Sequence, residues 1–484
     1  MPLILSGNVA SATAATTYSV ANSCRIEYGD SAKMQKTLGT NSSNYDTNFT
    51  VSAWFKLGGP TRIAATRGIW SAGPNDQNAL DLTIKDTQYI AFQSIDSGST
   101  EANITTNQVI RDPTAWYHLA VIVDTTQGVA ANRVKMYLNG TQITSFSTET
   151  YPAEDYSYAF CLASGDYMRV AQPMQYPNNY WDGYLAEVVY CEGQTLAIGD
   201  LGEFDSDSPT IWKPKAPSGL TFGNNGMYLD FEDSGNLGDD ESGNTNDLSE
   251  TNVAAVDQMT DSPTNNFCVP NSVDNYYAAS TFSEGNCKIV TNSSNYSFNT
   301  GTFGLTAGKW YFEADCATAA GSNKNLVGIS AVPSDATTNY LGEDAYMWGY
   351  YGNNGNSITG GTSSSYGNSY TDDDIIGVAI DLDNNKLYFA KNNTWQDSGD
   401  PTSGATGTGA LSITAVASTT SGVYFPAMGD FSSDSSTTWE ANFGNSVAAL
   451  TSAANDANGY GNFEYAPPSG YLAICTKNLG SDGG

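Results

Sequence analysis

His118-Leu119-Ala120-Val121-Ile122-Val123-Asp124, followed by Val134-Lys135-Met136-Tyr137-Leu138-Asn139-Gly140-Thr141, is the phrase that decides the fold. It returns as Ile376-Gly377-Val378-Ala379-Ile380-Asp381, then Lys386-Leu387-Tyr388-Phe389-Ala390, closing on Lys391-Asn392-Asn393-Thr394. Each copy is an apolar strand ending in Asp, a polar turn, and a returning strand that carries a tyrosine. Alternating apolar strands joined by Asn, Asp and Gly turns predict antiparallel hairpins. Two such hairpins far apart in the chain predict two separate β-sandwich domains, an architecture that favours recognition over catalysis.

Working outward, strands recur at short intervals from 21 to 232, among them Phe49 to Lys56, Ala79 to Ile84, Tyr89 to Gln93 and Gly183 to Tyr190. Regular spacing with turn residues between predicts a sandwich. A second series runs from 279 to 447 and includes Lys309 to Asp315, Leu326 to Ser330, Val423 to Ala427 and Thr438 to Gly444. Between them, residues 233–278 gather Asp233, Asp239, Asp240, Glu241, Asp247 and Glu250 among Gly, Asn and Ser. With so few apolar residues this segment reads as an acidic connector. Residues 1–20 read as an N-terminal arm that orders only against a partner or the domain behind it. Residues 448–484 read as a mostly irregular C-terminal segment with one strand at Tyr471 to Cys475. The expected fold class is all-β: two β-sandwich (jelly-roll) domains joined by an acidic connector.

Composition agrees. A chain of 484 residues with 48 Gly and 30 Tyr favours strands and turns over amphipathic helices. Its net charge of -32, with 51 acids against 19 Lys and Arg, repels phosphate backbones, so nucleic acid is not an expected partner. The acidity itself reads first as a solubility device. The seven cysteines are widely spaced and form no C-x-x-C motif, which predicts buried thiols in a reducing compartment rather than a zinc site or a disulfide framework. The opening Met1-Pro2-Leu3-Ile4-Leu5 has no basic region and too short an apolar run for a signal peptide. No stretch approaches the ~20 apolar residues of a membrane span, so membrane insertion is not expected.

Phe49 to Lys56, Trp116 to Ala120, Met136 to Gly140 and Trp181 to Val188 resemble the laminin-G-like, concanavalin A-like jelly rolls. Gly308 to Glu313, Ile376 to Asp383, Leu387 to Phe389 and Asn442-Phe443-Gly444 are similar to SPRY (B30.2) domains. The whole arrangement also resembles a type of tailed-bacteriophage virion protein, often from marine phages. That resemblance rests on Met1 to Ala15, Asp257 to Phe267 and Ala473 to Leu479. It implies a fibre or appendage protein made in the host cytoplasm, located in the virion, and a homo-oligomer such as a trimer. It implies contacts with other virion proteins through the N-terminal arm, and with a host-surface glycan or protein through the lectin-like modules.

Candidate sites are few. His118, the only histidine, alternates in a strand beside Trp116 and reads as a satisfied strand residue before it reads as a ligand. No G-x-S-x-G elbow accompanies it. Glu203-Phe204-Asp205-Ser206-Asp207 is the nearest fragment to the carboxylate strand of jelly-roll glycanases, and it lacks the closing Glu. Asp372, Asp373 and Asp383 could offer oxygen ligands to Ca²⁺, although they read first as turn acids at strand ends. Tyr346 to Asn356 is the strongest binding candidate, because aromatic faces stack on sugars or peptide side chains while Asn and Gly supply hydrogen bonds. Tyr350, Tyr351 and Asn353 centre the expected contact. SPRY-like domains carry a core tryptophan nearby, which implies that part of the segment is a core strand. Trp395, in the turn after Asn393, is a second candidate. The expected function is non-enzymatic attachment to a host surface. The alternatives are a structural decoration (cement) protein of capsid or tail and a glycan-degrading jelly roll.

Overall fold

The structure, a computed structural model, describes residues 18–59, 65–275, 278–333 and 340–482. The described residues divide into two compact units, 18–264 and 265–482. Both are β-sandwiches, and the repeated phrase supplies one hairpin to each.

In the first unit, one sheet runs in the order Thr141–Gln142, Val134–Leu138, Tyr117–Asp124, Asn48–Leu57, Gly183–Glu192, Ser23–Ile26, Gln258–Met259. The short strand Met227–Leu229 also pairs with Gly183–Glu192. The facing sheet runs Phe146–Thr150, Ser99–Val109, Tyr89–Asp96, Asn78–Ile84, Arg67–Asn75, Tyr167–Val170, Lys33–Thr37, Ser249–Thr251. Alternation sends Phe49, Val51, Phe55, Leu119, Val121, Trp70, Leu80, Leu82 and Phe92 into one fully buried core. The other face of the first sheet is also covered. Trp54, Trp116, Tyr184, Trp212 and Met259 pack there as a separate apolar cluster.

In the second unit, the larger sheet is ordered Thr281–Ser283, Lys288–Val290, Thr438–Asn442, Lys309–Thr318, Asp374–Asp381, Lys386–Lys391, Thr394–Trp395. The smaller is ordered Ser297–Thr300, Phe425–Asp430, Asn325–Ser330, Met347–Tyr351, Ser357–Thr359, Thr362–Ser364. Trp310, Phe312, Val327, Trp348, Val378, Phe389 and Trp439 fill the space between them.

The expected acidic connector 233–278 does not exist as a separate element. Leu237 and Leu248 lie in the first unit's core, and Ser249–Thr251 pairs with Lys33–Thr37 as an edge strand. Asp261 is fully buried, its carboxylate 2.7 Å from the equally buried Lys56 Nζ and accepting from Trp116 Nε1 at 2.8 Å. Asp240 accepts from the backbone N–H groups of Tyr228, Ser242 and Asn246, so it organises a loop rather than solvating one. The following residues join the second unit, where Phe267 bridges Cys475 and the Cys268 N–H donates to Ile474. These acids misread as a linker because their partners lie up to 205 residues away in sequence.

Beyond 448 the chain is likewise built in. Leu472–Ala473 pairs in parallel with Lys309–Thr318, and Phe463, Tyr471 and Cys475 bury a cluster with Tyr311 and Tyr388. A short helix, Thr476–Asp482, follows. Of the expected N-terminal arm, residues 1–17 lie outside the described residues. Val20 is buried, and Tyr18 donates to Glu187 at 2.8 Å. All seven cysteines are buried. No helix among the described residues is long and apolar enough to cross a membrane.

Candidate binding surfaces

Met347–Tyr351 is a strand of the smaller sheet of the second unit, and its alternation separates the residues that sequence placed together. Trp348 and Tyr350 point into the core. Tyr350 is fully buried, stacks on Phe389 at 5.2 Å, approaches Tyr370 at 5.0 Å, and donates its hydroxyl to the Asn368 carbonyl. Burial raises its pKa. It therefore has no face to offer a ligand, which corrects the expectation for this residue. Tyr351 points to the opposite side and is half-buried. Asn353 is exposed in the following turn, held by a 2.6 Å bond from its Nδ2 to the Ser322 carbonyl. Trp395 lies apart from both. It belongs to the larger sheet and meets Tyr388 edge-on at 6.4 Å.

What Tyr351 joins was not legible in sequence. Phe431, just past the strand Phe425–Asp430, is the hub of an aromatic cluster. Its ring lies 4.2 Å from Tyr340, 4.7 Å from Tyr296 and 6.1 Å from Tyr351. All four rings are half-buried, so each keeps an edge or face in solvent. They come from the end of the strand Met347–Tyr351 and from three loops, spread across 136 residues of sequence from 296 to 431. The Phe431 N–H donates to Lys324 at 2.7 Å and fixes the hub. Burial raises the pKa of Tyr340 and Tyr351, leaving both hydroxyls as neutral donors.

The candidate Ca²⁺ acids do not converge on one point; two of them tie distant backbone in place. Asp372 accepts from Ala319 N at 2.6 Å and Asp383 from Gly308 N at 2.8 Å, while Asp373 is exposed with φ of 61°. The strand Asp374–Asp381 separates Asp383 from the other two. At about 3.3 Å per residue that is more than 20 Å, too far to share a cation. Among the described residues, no group of three or more His, Cys, Asp or Glu could hold a metal ion. A groove of about 180 Å³ on the larger sheet does gather Glu313, Asp315, Glu440 and Glu464 beneath residues 446–451. Burial pushes Glu313 up to about 7 and Asp315 up to about 6.

His118 is buried, and burial lowers its pKa to about 3. The Trp212 indole N–H can only donate, and it reaches His118 Nδ1 at 3.1 Å. The ring proton therefore sits on Nε2 and is donated to Ser52 Oγ at 2.7 Å. A catalytic Ser–His pair needs the reverse direction, with the imidazole accepting the serine proton. This pair is a structural hydrogen bond. Beside it, Glu187 occupies a bulge at φ of 49° and accepts from Tyr18 and Tyr228. The Glu203–Phe204 stretch forms a two-stranded ribbon with Trp212–Pro214, and Asp205 is used by Lys213 and the 207–208 backbone.

Residues 309–430 match the SPRY domain family, and residues 30–191 match the concanavalin A-like lectin/glucanases superfamily in its laminin-G form. The chain carries one domain of each kind. Domains of these kinds are typically binding modules rather than catalysts. Ran-binding protein 9 of Danio rerio is 33% identical over 87 residues, which is 18% of this chain and 14% of that protein. Ran-binding protein 9 of Homo sapiens is also 33% identical over 87 residues, 12% of its length. The chain thus spans a small fraction of the curated relatives it matches. Among solved structures, the SPRY domain of human HERC1 is 16% identical, with 32% of this chain and 86% of that chain covered and a TM-score of 0.26. A heptameric SAP-like pentraxin from Limulus polyphemus is 13% identical, with coverages of 37% and 80% and a TM-score of 0.27.

Proposed function

We propose that this chain is a non-enzymatic surface protein of a bacteriophage virion that attaches the particle to its host through two β-sandwich binding modules. The observation that carries the binding role is the Tyr296–Tyr340–Tyr351–Phe431 cluster beside the exposed Asn353. Rigid aromatic rings present large contact area at low entropic cost, and the neighbouring amide and hydroxyl groups add directional hydrogen bonds. The name of these relatives, Ran-binding protein, refers to protein binding and supports recognition as the role of the second unit. The virion assignment rests on the resemblance of Met1 to Ala15, Asp257 to Phe267 and Ala473 to Leu479 to phage appendage proteins.

Competition tests it. Excess purified full chain is expected to reduce adsorption of particles that carry this protein, whereas a chain with Tyr340→Ala and Tyr351→Ala is expected to compete at least about ten-fold less well. Absence of the chain from purified particles contradicts the reading. Presence without competition assigns it to decoration instead.

A further inference from the structure

The C-terminal segment of the second unit walls in a groove on the outer face of the larger sheet. Along Lys309–Thr318, Phe312, Ala314 and Cys316 enter the core, so Glu313 and Asp315 point outward. Asp315 lies between Glu440 and Ile375 in register, and Glu313 lies beside Asn442. These residues floor a groove of about 180 Å³, and Val447, Ala448, Ala449 and Leu450 wall it with apolar side chains. Glu464 holds that wall in place by accepting from Thr451 N at 2.8 Å. The wall, Glu440 and Glu464 all lie outside the SPRY match at 309–430.

The carboxylates of the groove differ in what they already hold. Glu313 accepts hydrogen bonds from Tyr311, Asn442 and the Glu464 and Tyr465 N–H groups. Glu440 meets Lys288 at 2.8 Å. Asp315 is half-buried, and its Oδ1 is closed to solvent with no hydrogen-bond partner among the described residues. Lys288 acts on Asp315 only from a distance, because Glu440 stands between the two in the strand order. Carboxylates directly opposite on neighbouring strands repel, and a sealed acceptor left unpaired is costly. A cation in the groove offsets both. A bare metal ion does not suit it, since no group of three or more acids among the described residues converges on one point. Glu313 and Asp315 are about 7 Å apart along their strand, which suits an elongated organic cation.

We infer that this groove receives an arginine side chain of a partner polypeptide, with the guanidinium on Asp315 and Glu440 and the stem between Ile375 and the Val447–Leu450 wall. The planar fork matches a carboxylate in two parallel bonds and is more weakly hydrated than an ammonium, which suits a half-enclosed site. The methylene stem covers apolar surface while the charge reaches the acids. Ala448 and Ala449 are exposed at the lip, where the flanking backbone of a polypeptide can lie. The chain's charge of -32 steers a basic segment toward it. The inference does not depend on the attachment reading, because it concerns the other sheet and different residues.

The test is titration of the full chain with N-acetyl-arginine amide, its lysine and citrulline counterparts, acetyl-Ala-Arg-Ala amide and spermidine. A singly charged probe keeps general attraction to a chain of -32 out of the result. Saturable binding of the arginine compound with a Kd on the order of 1 mM is expected. The lysine compound is expected to bind several-fold more weakly and the uncharged citrulline compound at least about ten-fold more weakly. The tripeptide is expected to bind more tightly than the single residue. Asp315→Asn is expected to weaken binding about ten-fold with an unchanged or raised melting temperature, since it relieves the repulsion from Glu440. Val447→Ala with Leu450→Ala is expected to weaken it several-fold. The charged groups around Asp315 are Glu440 and Lys288 across the strands, Glu313 on its own strand, Asp373 and Asp374 at the start of the next, and Glu464 by the wall. Burial first, then repulsion from Glu440, Asp373 and Asp374, holds the Asp315 proton up to about 6, so binding is expected to strengthen from about pH 5 to about pH 8. Tyr340→Ala with Tyr351→Ala is expected to bind the tripeptide as the wild type does, so failure here and failure of the attachment reading stay distinct. No saturation below about 20 mM, equal binding of the lysine or citrulline compound, spermidine binding more tightly than the tripeptide, or unchanged binding in folded Asp315→Asn would overturn the inference.

Discussion

Asp261 and Lys56 are each fully buried, and their 2.7 Å contact joins residues on the unit's last segment and on a central strand. Removing one member of such a pair strands the other charge away from water. Asp261→Ala is therefore expected to destabilise the first unit by about 3–5 kcal/mol, read as a shift of the denaturant midpoint. Glu313 gives a pH signature in the second unit. Burial raises its folded-state pKa to about 7, while hydrogen bonds from Tyr465 N, Glu464 N, Tyr311 and Asn442 pull the other way. The unfolded carboxyl titrates near ~4.3. Between those values the folded unit holds a proton that the unfolded chain has lost, so this contribution to stability is complete below pH ~4.3 and is lost as pH rises through about 7. Glu313→Gln is expected to flatten that part of the stability–pH curve by an amount of order 1–3 kcal/mol, measured by denaturation at pH 5 and pH 8. An unchanged slope would assign the dependence to other groups, such as Asp430, which burial also pushes up to about 7.

Strands decide which side chains can serve a ligand. Along Met347–Tyr351, one step separates a core ring from a rim ring, so adjacent tyrosines have opposite expected phenotypes. Tyr350→Ala is expected to cost about 3–5 kcal/mol of stability, measured by thermal or chemical denaturation, because it empties a packed aromatic site. Tyr351→Ala is expected to cost under about 1 kcal/mol and to act on binding instead. The sequence pattern located this strand but not its phase, since Met347, Trp348, Tyr350 and Tyr351 put large apolar residues on both faces. The hairpins of the repeated phrase were legible to within a residue or two. Their apolar alternation and Asn/Asp turns are local signals, and Asp374–Asp381 with Lys386–Lys391 matches them closely. The edge strands Ser249–Thr251 and Gln258–Met259 were not legible. Three- and two-residue strands have no periodicity of their own and exist only because Lys33–Thr37 and Ser23–Ile26 present free edges. A chain cut after residue 232 is accordingly expected to lose cooperative unfolding of the first unit, a change visible in circular dichroism melts.

At the scale of the molecule, two β-sandwich units carry a charge of -32 with few helices and buried thiols throughout. That charge opposes non-specific adhesion to anionic surfaces, so any attachment must come from local features strong enough to act against the mean field. One such feature stands out, the aromatic rim of the second unit, of which Tyr351 was legible in sequence but Tyr296, Tyr340 and Phe431 were not, because strand order brings them together across 136 residues of chain. The central claim is that the chain binds and does not catalyse, and binding of labelled full chain to intact host cells tests it most directly. The account predicts saturable binding that unlabelled chain displaces, that Tyr340→Ala with Tyr351→Ala abolishes or reduces about ten-fold, and that releases no sugar or peptide from the cell surface. Non-saturable binding unaffected by these substitutions, or release of cell-surface fragments that a single carboxylate or Ser52 substitution abolishes, would contradict it.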